Sequence, residues 1–86
     1  MEEALKIIFG MIDEFLAGEY DPLAFSYDLP LELLDQLGKI FPVNEELAQL
    51  MNDELPEVCD MYEYGDDPEP FKAKMREVYE RIKQAV

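Results

Sequence analysis

The sequence predicts an all-α fold, a compact antiparallel four-helix bundle with a short extra helix near residues 22–27. Apolar residues recur at helical spacing in four segments, and residues typical of helix ends and turns separate these segments. No segment shows the apolar alternation of a confident strand. With 86 residues, of which 49% are hydrophobic, the chain is expected to form one domain, residues 1–86, with its own core.

The first helix is predicted over residues 2–17, because its apolar residues fall on one stripe: Leu5, Ile8, Phe9, Ile12, Phe15 and Leu16. Gly18 follows it as a residue that readily takes a positive φ after a helix. Asp21 and Pro22 then start a new helical segment, because aspartate caps helices and proline suits the first helical position.

A boundary is expected at Pro30, since proline disfavours helical geometry in the residue before it. Residues 22–27 are therefore expected to form only one or two short turns. The second full helix is predicted from residue 30 or 31 to residue 40, ended by Gly38 and Pro42. Its inward residues are expected to be Leu33, Leu34, Leu37 and Ile40.

The third helix is predicted to start after Asn44 and to continue through residue 64, with a stripe made of Leu47, Leu50, Met51, Leu55, Val58 and Tyr62. Pro56 lies within this stripe. A proline inside a helix removes one backbone hydrogen bond and clashes with the carbonyl four residues earlier. We therefore expect a kink or a break near Asp53.

The fourth helix follows the turn Gly65-Asp66-Asp67-Pro68, in which Asp67 is expected to cap the helix and Pro68 to take its first position. Its apolar face consists of Phe71, Met75, Val78, Tyr79 and Ile82. Residues 72–86 hold five bases and two acids (+3), whereas residues 1–71 hold two bases and 19 acids (−17). The basic residues are expected to face solvent near the C-terminal end of the helix dipole, or to pair with part of the acidic surface.

A run of eight acidic residues with no basic residue lies between Asp53 and Glu69, in a chain of net charge −14. Such a chain repels nucleic acid and anionic membranes and attracts cationic surfaces over about a Debye length, roughly 8–10 Å. From Glu54 to Glu63 consecutive acids are three residues apart, so on a helix they are neighbours that repel one another. Two interpretations stay open: a binding strip for a cationic partner, and a solvated acidic face.

The residues predicted to bind a partner lie in this run: Asp53, Glu54, Glu57, Asp60, Glu63, Tyr64, Asp66 and Asp67. Among them the strongest candidates are Glu57, Asp60, Glu63 and Asp66. Tyr62 is expected to continue the apolar stripe into the core. Tyr64 would then point elsewhere, either as a rigid contact residue of an interface or packed at the rim of the bundle.

No residue pattern predicts catalysis, a metal site or a cofactor. The chain has no His, no Thr and a single Ser, Ser26, so the parts of a nucleophilic triad are missing. An EF-hand loop starting at Asp60 would need Glu at its twelfth position, where Phe71 lies. Cys59 has no second cysteine to pair with, and its apolar and acidic surroundings are expected to raise its pKa and keep it unreactive.

The protein is expected to be cytoplasmic. A single thiol fits a reducing compartment, and the first residues are acidic where a secretory signal would be basic. The longest apolar stretch, residues 7–12, is too short to cross a membrane. Neither a membrane nor a nucleic acid is therefore expected as a partner.

Five features of the sequence follow one another in a fixed order. The first helix ends Phe15-Leu16-Ala17-Gly18-Glu19 and is followed by Phe25. The third helix ends near Tyr62, before the acidic turn Gly65-Asp66-Asp67-Pro68 and a last amphipathic helix. This pattern, which covers most of the chain, resembles the colicin D immunity-like family of small bacterial self-protection proteins. The chain departs from it in residues 22–43, where there are three prolines.

The resemblance implies a non-catalytic helical protein that blocks a tRNA-cleaving toxin by placing acidic side chains where RNA phosphates bind. Carried over, it assigns the contact to Asp53, Glu57, Asp60, Glu63, Asp66 and Asp67. The partner would be a basic nuclease toxin domain, bound by a monomer or a weak dimer. Two other hypotheses stay open: a phage-type phosphate mimic that inhibits another nucleic-acid-binding protein, and a helical adaptor or scaffold with an apolar partner groove.

Overall fold

The computed structural model describes all 86 residues as four helices: α1 (Glu2–Leu16), α2 (Pro22–Ile40), α3 (Glu45–Asp60) and α4 (Pro68–Ala85). Connections of five, four and seven residues make consecutive helices antiparallel neighbours. Helix α1 also packs on α4, which closes the bundle, and α1 has no substantial contact with α3. The predicted all-α four-helix bundle is thus confirmed, with α1 and α3 diagonally opposed.

The helix ends follow the local chemistry expected from the sequence. Asp21 accepts a hydrogen bond from the backbone N–H of Ala24 at 2.9 Å, and Asn44 accepts one from Leu47 at 3.1 Å. After α1, Gly18 takes a φ of +81°. Its N–H donates to the carbonyl of Phe15, and the next N–H, that of residue 19, donates to the carbonyl of residue 14. These two bonds form a Schellman motif, which only a residue tolerant of positive φ allows at low cost.

An aromatic cluster fills one end of the bundle. Phe15 from α1 and Phe25 from α2 stack with ring centroids 4.2 Å apart and an interplanar angle of 7°. Phe71 from α4 lies 4.6 Å from Phe15, and Tyr62, just beyond α3, stacks on Phe71 at 5.2 Å. The cluster therefore holds α1, α2 and α4 together and anchors the α3–α4 turn to them.

A polar contact joins α1 to α4 further along the bundle. The Tyr79 hydroxyl donates to the carboxylate of Asp13 at 2.9 Å, and the Tyr79 ring meets Phe9 edge to face at 5.3 Å. Burial, together with this hydrogen bond, raises the pKa of Tyr79. The buried phenol therefore stays protonated and keeps its bond to Asp13 well above neutral pH.

The expected short extra helix at residues 22–27 is wrong, because α2 is one continuous helix with Pro30 inside it. Phe25, Leu29, Leu33 and Leu37 are all buried and stand four residues apart, so one apolar face crosses the proline. Burial of each such side chain contributes about 1.5–3 kcal/mol, and together they exceed the roughly 3 kcal/mol that an interior proline costs.

The predicted end of this helix at residue 40 is confirmed, with Gly38 inside the helix and Phe41 as its C-cap. One other expectation for α2 is wrong. Leu34, which was expected to face inward, exposes 76% of its surface. Its place on the helix explains this: at 100° per residue, Leu34 lies about 120° from the centre of the face that Phe25, Leu29, Leu33 and Leu37 bury.

The third helix also differs from its prediction. Pro56 does not break α3, because Leu55 and Val58 on either side of it are buried and hold the backbone in place. The helix ends at Asp60 rather than at residue 64. Beyond this point the carboxylate of Asp66 accepts the backbone N–H of Glu63 at 3.0 Å, a local bond that replaces the helical one.

Replacing Pro30 with alanine is expected to raise the free energy of unfolding by about 1–2 kcal/mol. Alanine restores a donor for the carbonyl of Ser26, and the gain is smaller than the full proline cost because proline also restricts the unfolded chain. Urea unfolding followed by circular dichroism measures the change. Pro22→Ala is the control, because proline suits the first position of α2 and should give no gain. A loss of stability in Pro30→Ala would contradict this account.

Candidate functional site

The acidic residues of α3 lie on the side of the helix that faces away from the core. Asp53, Glu57 and Asp60 are spaced by four and three, so they share one sector of the helix, and all three are exposed. The opposite side carries the buried residues Leu47, Ala48, Met51, Leu55, Val58 and Cys59. Glu46, seven residues before Asp53, extends the same exposed sector and was not among the predicted residues.

Glu54 points in a different direction, toward α4. Its carboxylate pairs with the guanidinium of Arg81 at 2.9 Å, and its side chain is only 28% exposed. This contact bears out the expectation that the basic last helix pairs with part of the acidic surface. Of the eight predicted partner-binding residues, Glu54 alone has its charge compensated within the chain.

The other carboxylates of α3 differ in how strongly they are held. Asp53 accepts a hydrogen bond from the Gln49 side-chain amide at 2.9 Å. Glu57 and Asp60 have neither an ion pair nor a side-chain hydrogen bond. A cationic partner would therefore meet Glu57 and Asp60 without first displacing an internal contact.

The turn between α3 and α4 uses its acids for structure as well as charge. Asp66 accepts the Glu63 N–H at 3.0 Å with one carboxylate oxygen, and its carbonyl accepts the Tyr62 hydroxyl at 3.2 Å. Asp67 caps α4 by accepting the Glu69 N–H at 3.0 Å. Gly65 takes a φ of +90°, which closes the turn. Each of these carboxylates still keeps one oxygen free for a partner.

Beside this turn lies an open depression of about 200 Å³. Its floor is apolar and its edge carries two carboxylates; the lining residues are Met61, Tyr62, Asp66, Asp67, Pro70 and Phe71. The sequence analysis missed Met61 and Pro70, because neither belongs to an apolar stripe and only the stacking of Tyr62 on Phe71 brings them together. An apolar floor with an acidic rim suits the stem and charged end of a Lys or Arg side chain.

The two tyrosines of the acidic run have different environments. Tyr62 is half-buried and stacked on Phe71, so it packs against the core rather than within it. Tyr64 exposes 88% of its surface, which excludes the packed-rim interpretation. The structure thus leaves Tyr64 beside the acidic turn as a free aromatic side chain of the kind that interfaces favour.

Cys59 lies on the core side of α3 and is only 2% exposed. Burial, with a smaller contribution from the charge of Asp60, raises the pKa of its thiol to about 12. The expected raised pKa is confirmed, and the protonated, buried thiol is a poor nucleophile. No three His, Cys, Asp or Glu side chains are grouped so that they could hold a metal ion.

None of the four helices combines the length and the apolar character needed to cross a bilayer. Comparison with known protein families, with characterised proteins and with solved structures finds no match for this chain. The resemblance to the colicin D immunity-like family therefore stays a prediction.

Proposed function

We propose that the protein is a non-catalytic inhibitor that binds a basic protein through one acidic surface. This acidic surface consists of the seven carboxylates of residues 53–69 other than Glu54: Asp53, Glu57, Asp60, Glu63, Asp66, Asp67 and Glu69. All seven are exposed, and none forms an ion pair within the chain. This uncompensated charge is the observation that carries the proposal. Neighbouring like charges repel one another and raise the free energy of the protein, and a cationic partner removes that repulsion.

The partner that fits best is a nuclease domain. An enzyme that cleaves RNA presents Lys and Arg to the phosphates of its substrate, and carboxylates can occupy the same cations. The acidic surface lies on a regular helix and a hydrogen-bonded turn, so the backbone that carries its charges is ordered before binding. The proposed role is that of an immunity protein, in agreement with the resemblance to the colicin D immunity-like family.

Tyr64 and the depression beside the turn supply the apolar part of the same contact. Interfaces that rely on charge for fast association still need a desolvated centre for affinity, and aromatic residues and arginine-binding pockets are typical of it. The stacked pair Tyr62 and Phe71 forms the rigid floor of the depression. The proposal therefore assigns steering to the α3 carboxylates and a larger share of the binding energy to the turn.

The proposal expects a nuclease domain to be encoded beside the gene of this chain, and the test is co-expression of the two proteins in bacteria. We expect growth to be restored and the two proteins to form a complex. The association rate should fall at least tenfold from low salt to physiological salt, because screening removes the steering, whereas the dissociation rate should change less. An association rate independent of salt, or a restored growth without a complex, would refute the proposal.

A helical adaptor is the second candidate, favoured by one observation. Tyr27, Leu31 and Leu34 on α2 are large apolar residues that expose most of their surface. An adaptor would bind its partner through such a face, and its complexes would be strengthened rather than weakened by salt. The salt dependence of the association therefore separates the two candidates.

A further inference from the structure

The depression beside the α3–α4 turn has the size of one side chain. Its volume is about 200 Å³, below the roughly 300–1,000 Å³ of sites that bind whole cofactors or substrates. Tyr62 and Phe71 form an aromatic floor, and the carboxylates of Asp66 and Asp67 lie at its edge. No basic residue lines it. The occupant that fits this shape and charge is a single elongated side chain with a cationic end.

The charge at this edge is uncompensated because the first bases of α4 are held elsewhere. The ammonium of Lys72 lies beside the end of α1, 4.0 Å from the position where a side chain on Gly18 would begin. Lys74, the next base, is paired within α4. Neither Asp66 nor Asp67 forms an ion pair. A cation that neutralises this edge must therefore come from another molecule.

We propose that the depression receives one arginine side chain of the basic partner, an inference that rests on the proposed function. Asp66 and Asp67 each use one carboxylate oxygen to accept a backbone N–H at 3.0 Å, and each keeps the other oxygen free. The two free oxygens belong to adjacent residues. A guanidinium carries five N–H donors in a planar fork, so it can bond to both carboxylates at once. The methylenes of the arginine then lie on the apolar floor.

Arginine fits this depression better than lysine because the site is shallow and partly aromatic. A lysine ammonium is compact and strongly hydrated, and at an exposed edge it keeps much of its water. A guanidinium is planar and more weakly hydrated, and its faces pack against aromatic rings. Tyr62 supplies such a ring, stacked at 5.2 Å on Phe71. The ring is held by this stacking before binding, so little conformational entropy is lost there.

The depression therefore gives the acidic surface a means of selecting among basic partners. The carboxylates of α3 attract any cationic protein, because they act by charge at a distance. The depression instead requires an arginine at one position of the partner. A partner with only lysines would be steered to the acidic surface equally well and held less tightly, so specificity lies mainly at the turn.

A nuclear magnetic resonance titration of the full chain tests the proposal without the partner. The probes are the N-acetyl methylamides of arginine, lysine and norleucine, which share an unbranched apolar stem and differ at its end. At equal ionic strength, the arginine probe should shift the amide signals of residues 61–71 saturably, with a dissociation constant of about 1–10 mM. The lysine probe should bind at least threefold more weakly, and the norleucine probe should not reach saturation.

Asp66→Asn with Asp67→Asn should weaken binding of the arginine probe at least fivefold. Asparagine keeps an oxygen that accepts the N–H of residues 63 and 69, so the turn and the helix cap persist. Glu3→Gln with Glu45→Gln is the matched control. It removes the same charge from the first turns of α1 and α3, at the other end of the bundle, and should change the binding less than twofold.

An arginine probe that causes no saturable shift at residues 61–71 would overturn the proposal. Equally tight binding of the lysine probe would overturn the choice of arginine, and equal weakening in the two double variants would show that only net charge attracts the probe. None of these outcomes involves the nuclease domain. Failure of the depression to bind the probe therefore leaves the proposed function standing, whereas the proposed function fails only if the chain binds no basic domain.

Discussion

Phe25→Ala is expected to lower the free energy of unfolding by about 3–5 kcal/mol. A domain of this size has only roughly 4–13 kcal/mol in total, so the variant should be near the limit of folding at physiological temperature. Phe25 is fully buried, stacks on Phe15 and contacts Phe71 and Tyr20. Its loss leaves a cavity where α1, α2 and α4 meet.

The effect should extend beyond stability, because the same cluster supports the acidic turn. Tyr62 stacks on Phe71, and Phe71 packs on Phe15 and Phe25. Loosening Phe71 should let the turn move, and amide hydrogen exchange at residues 61–67 should then become faster than in the wild type.

Leu34→Ala is the control for this prediction, since it removes a large apolar side chain from the same helix at an exposed position. It should change the free energy of unfolding by less than about 0.5 kcal/mol. Thermal and urea unfolding of both variants provide the comparison. A similar loss of stability in the two variants would mean that Leu34 is not exposed or that the aromatic cluster is not the centre of the core.

The helix starts were predictable from the sequence because each depends on a few adjacent residues. Asp21, Asn44 and Asp67 cap the helices that they precede, and Gly18 closes α1 through its own backbone geometry. No distant contact is needed for these choices.

The two interior prolines show where local rules fail. At Pro30 and Pro56 the local preference is to stop the helix. The sequence analysis placed a boundary at Pro30 and expected a kink or a break near Asp53, while it continued the third helix through residue 64. Tertiary packing reverses the outcome, because buried residues on both sides of each proline gain more by staying on one continuous face than the backbone loses. Leu34 was misplaced for the same reason: the inward face of α2 is set by Phe25 and Leu29, and a helix starting at Pro30 would not include them.

The candidate site was predictable in composition but not in geometry. The exposed positions of Glu57 and Asp60 follow from helical periodicity alone. The pairing of Glu54 with Arg81 joins residues 27 positions apart and depends on how α3 packs against α4. The depression at the turn depends on Tyr62 reaching Phe71 after α3 has ended. Contacts of this kind need the assembled bundle.

The double variant Glu57→Lys and Asp60→Lys is expected to weaken binding of the basic partner about a thousandfold, which corresponds to about 4 kcal/mol. Two attractive charges become repulsive at the centre of the acidic surface, on residues that have no partner within the chain. The association rate should fall and become less dependent on salt, because these charges steer the partner. The rest of the loss should appear as faster dissociation, because the two lysines repel the partner's cations within the complex. Surface plasmon resonance with the nuclease domain measures both rates.

Unfolding cannot account for such a loss, because these changes favour the helix. Lysines in the last turn of α3 suit its negative dipole end. The two lysines repel each other as the two carboxylates did, but the lysine at position 57 gains an opposite charge, Asp53, one turn earlier. Glu3→Lys with Glu14→Lys is the matched control, since it changes the net charge equally on the exposed side of α1, diagonally opposite α3. If binding depends on the position of the charges, the control should lose less than about tenfold. Equal losses in the two variants would show that only net charge matters, and the acidic surface would then not be the contact.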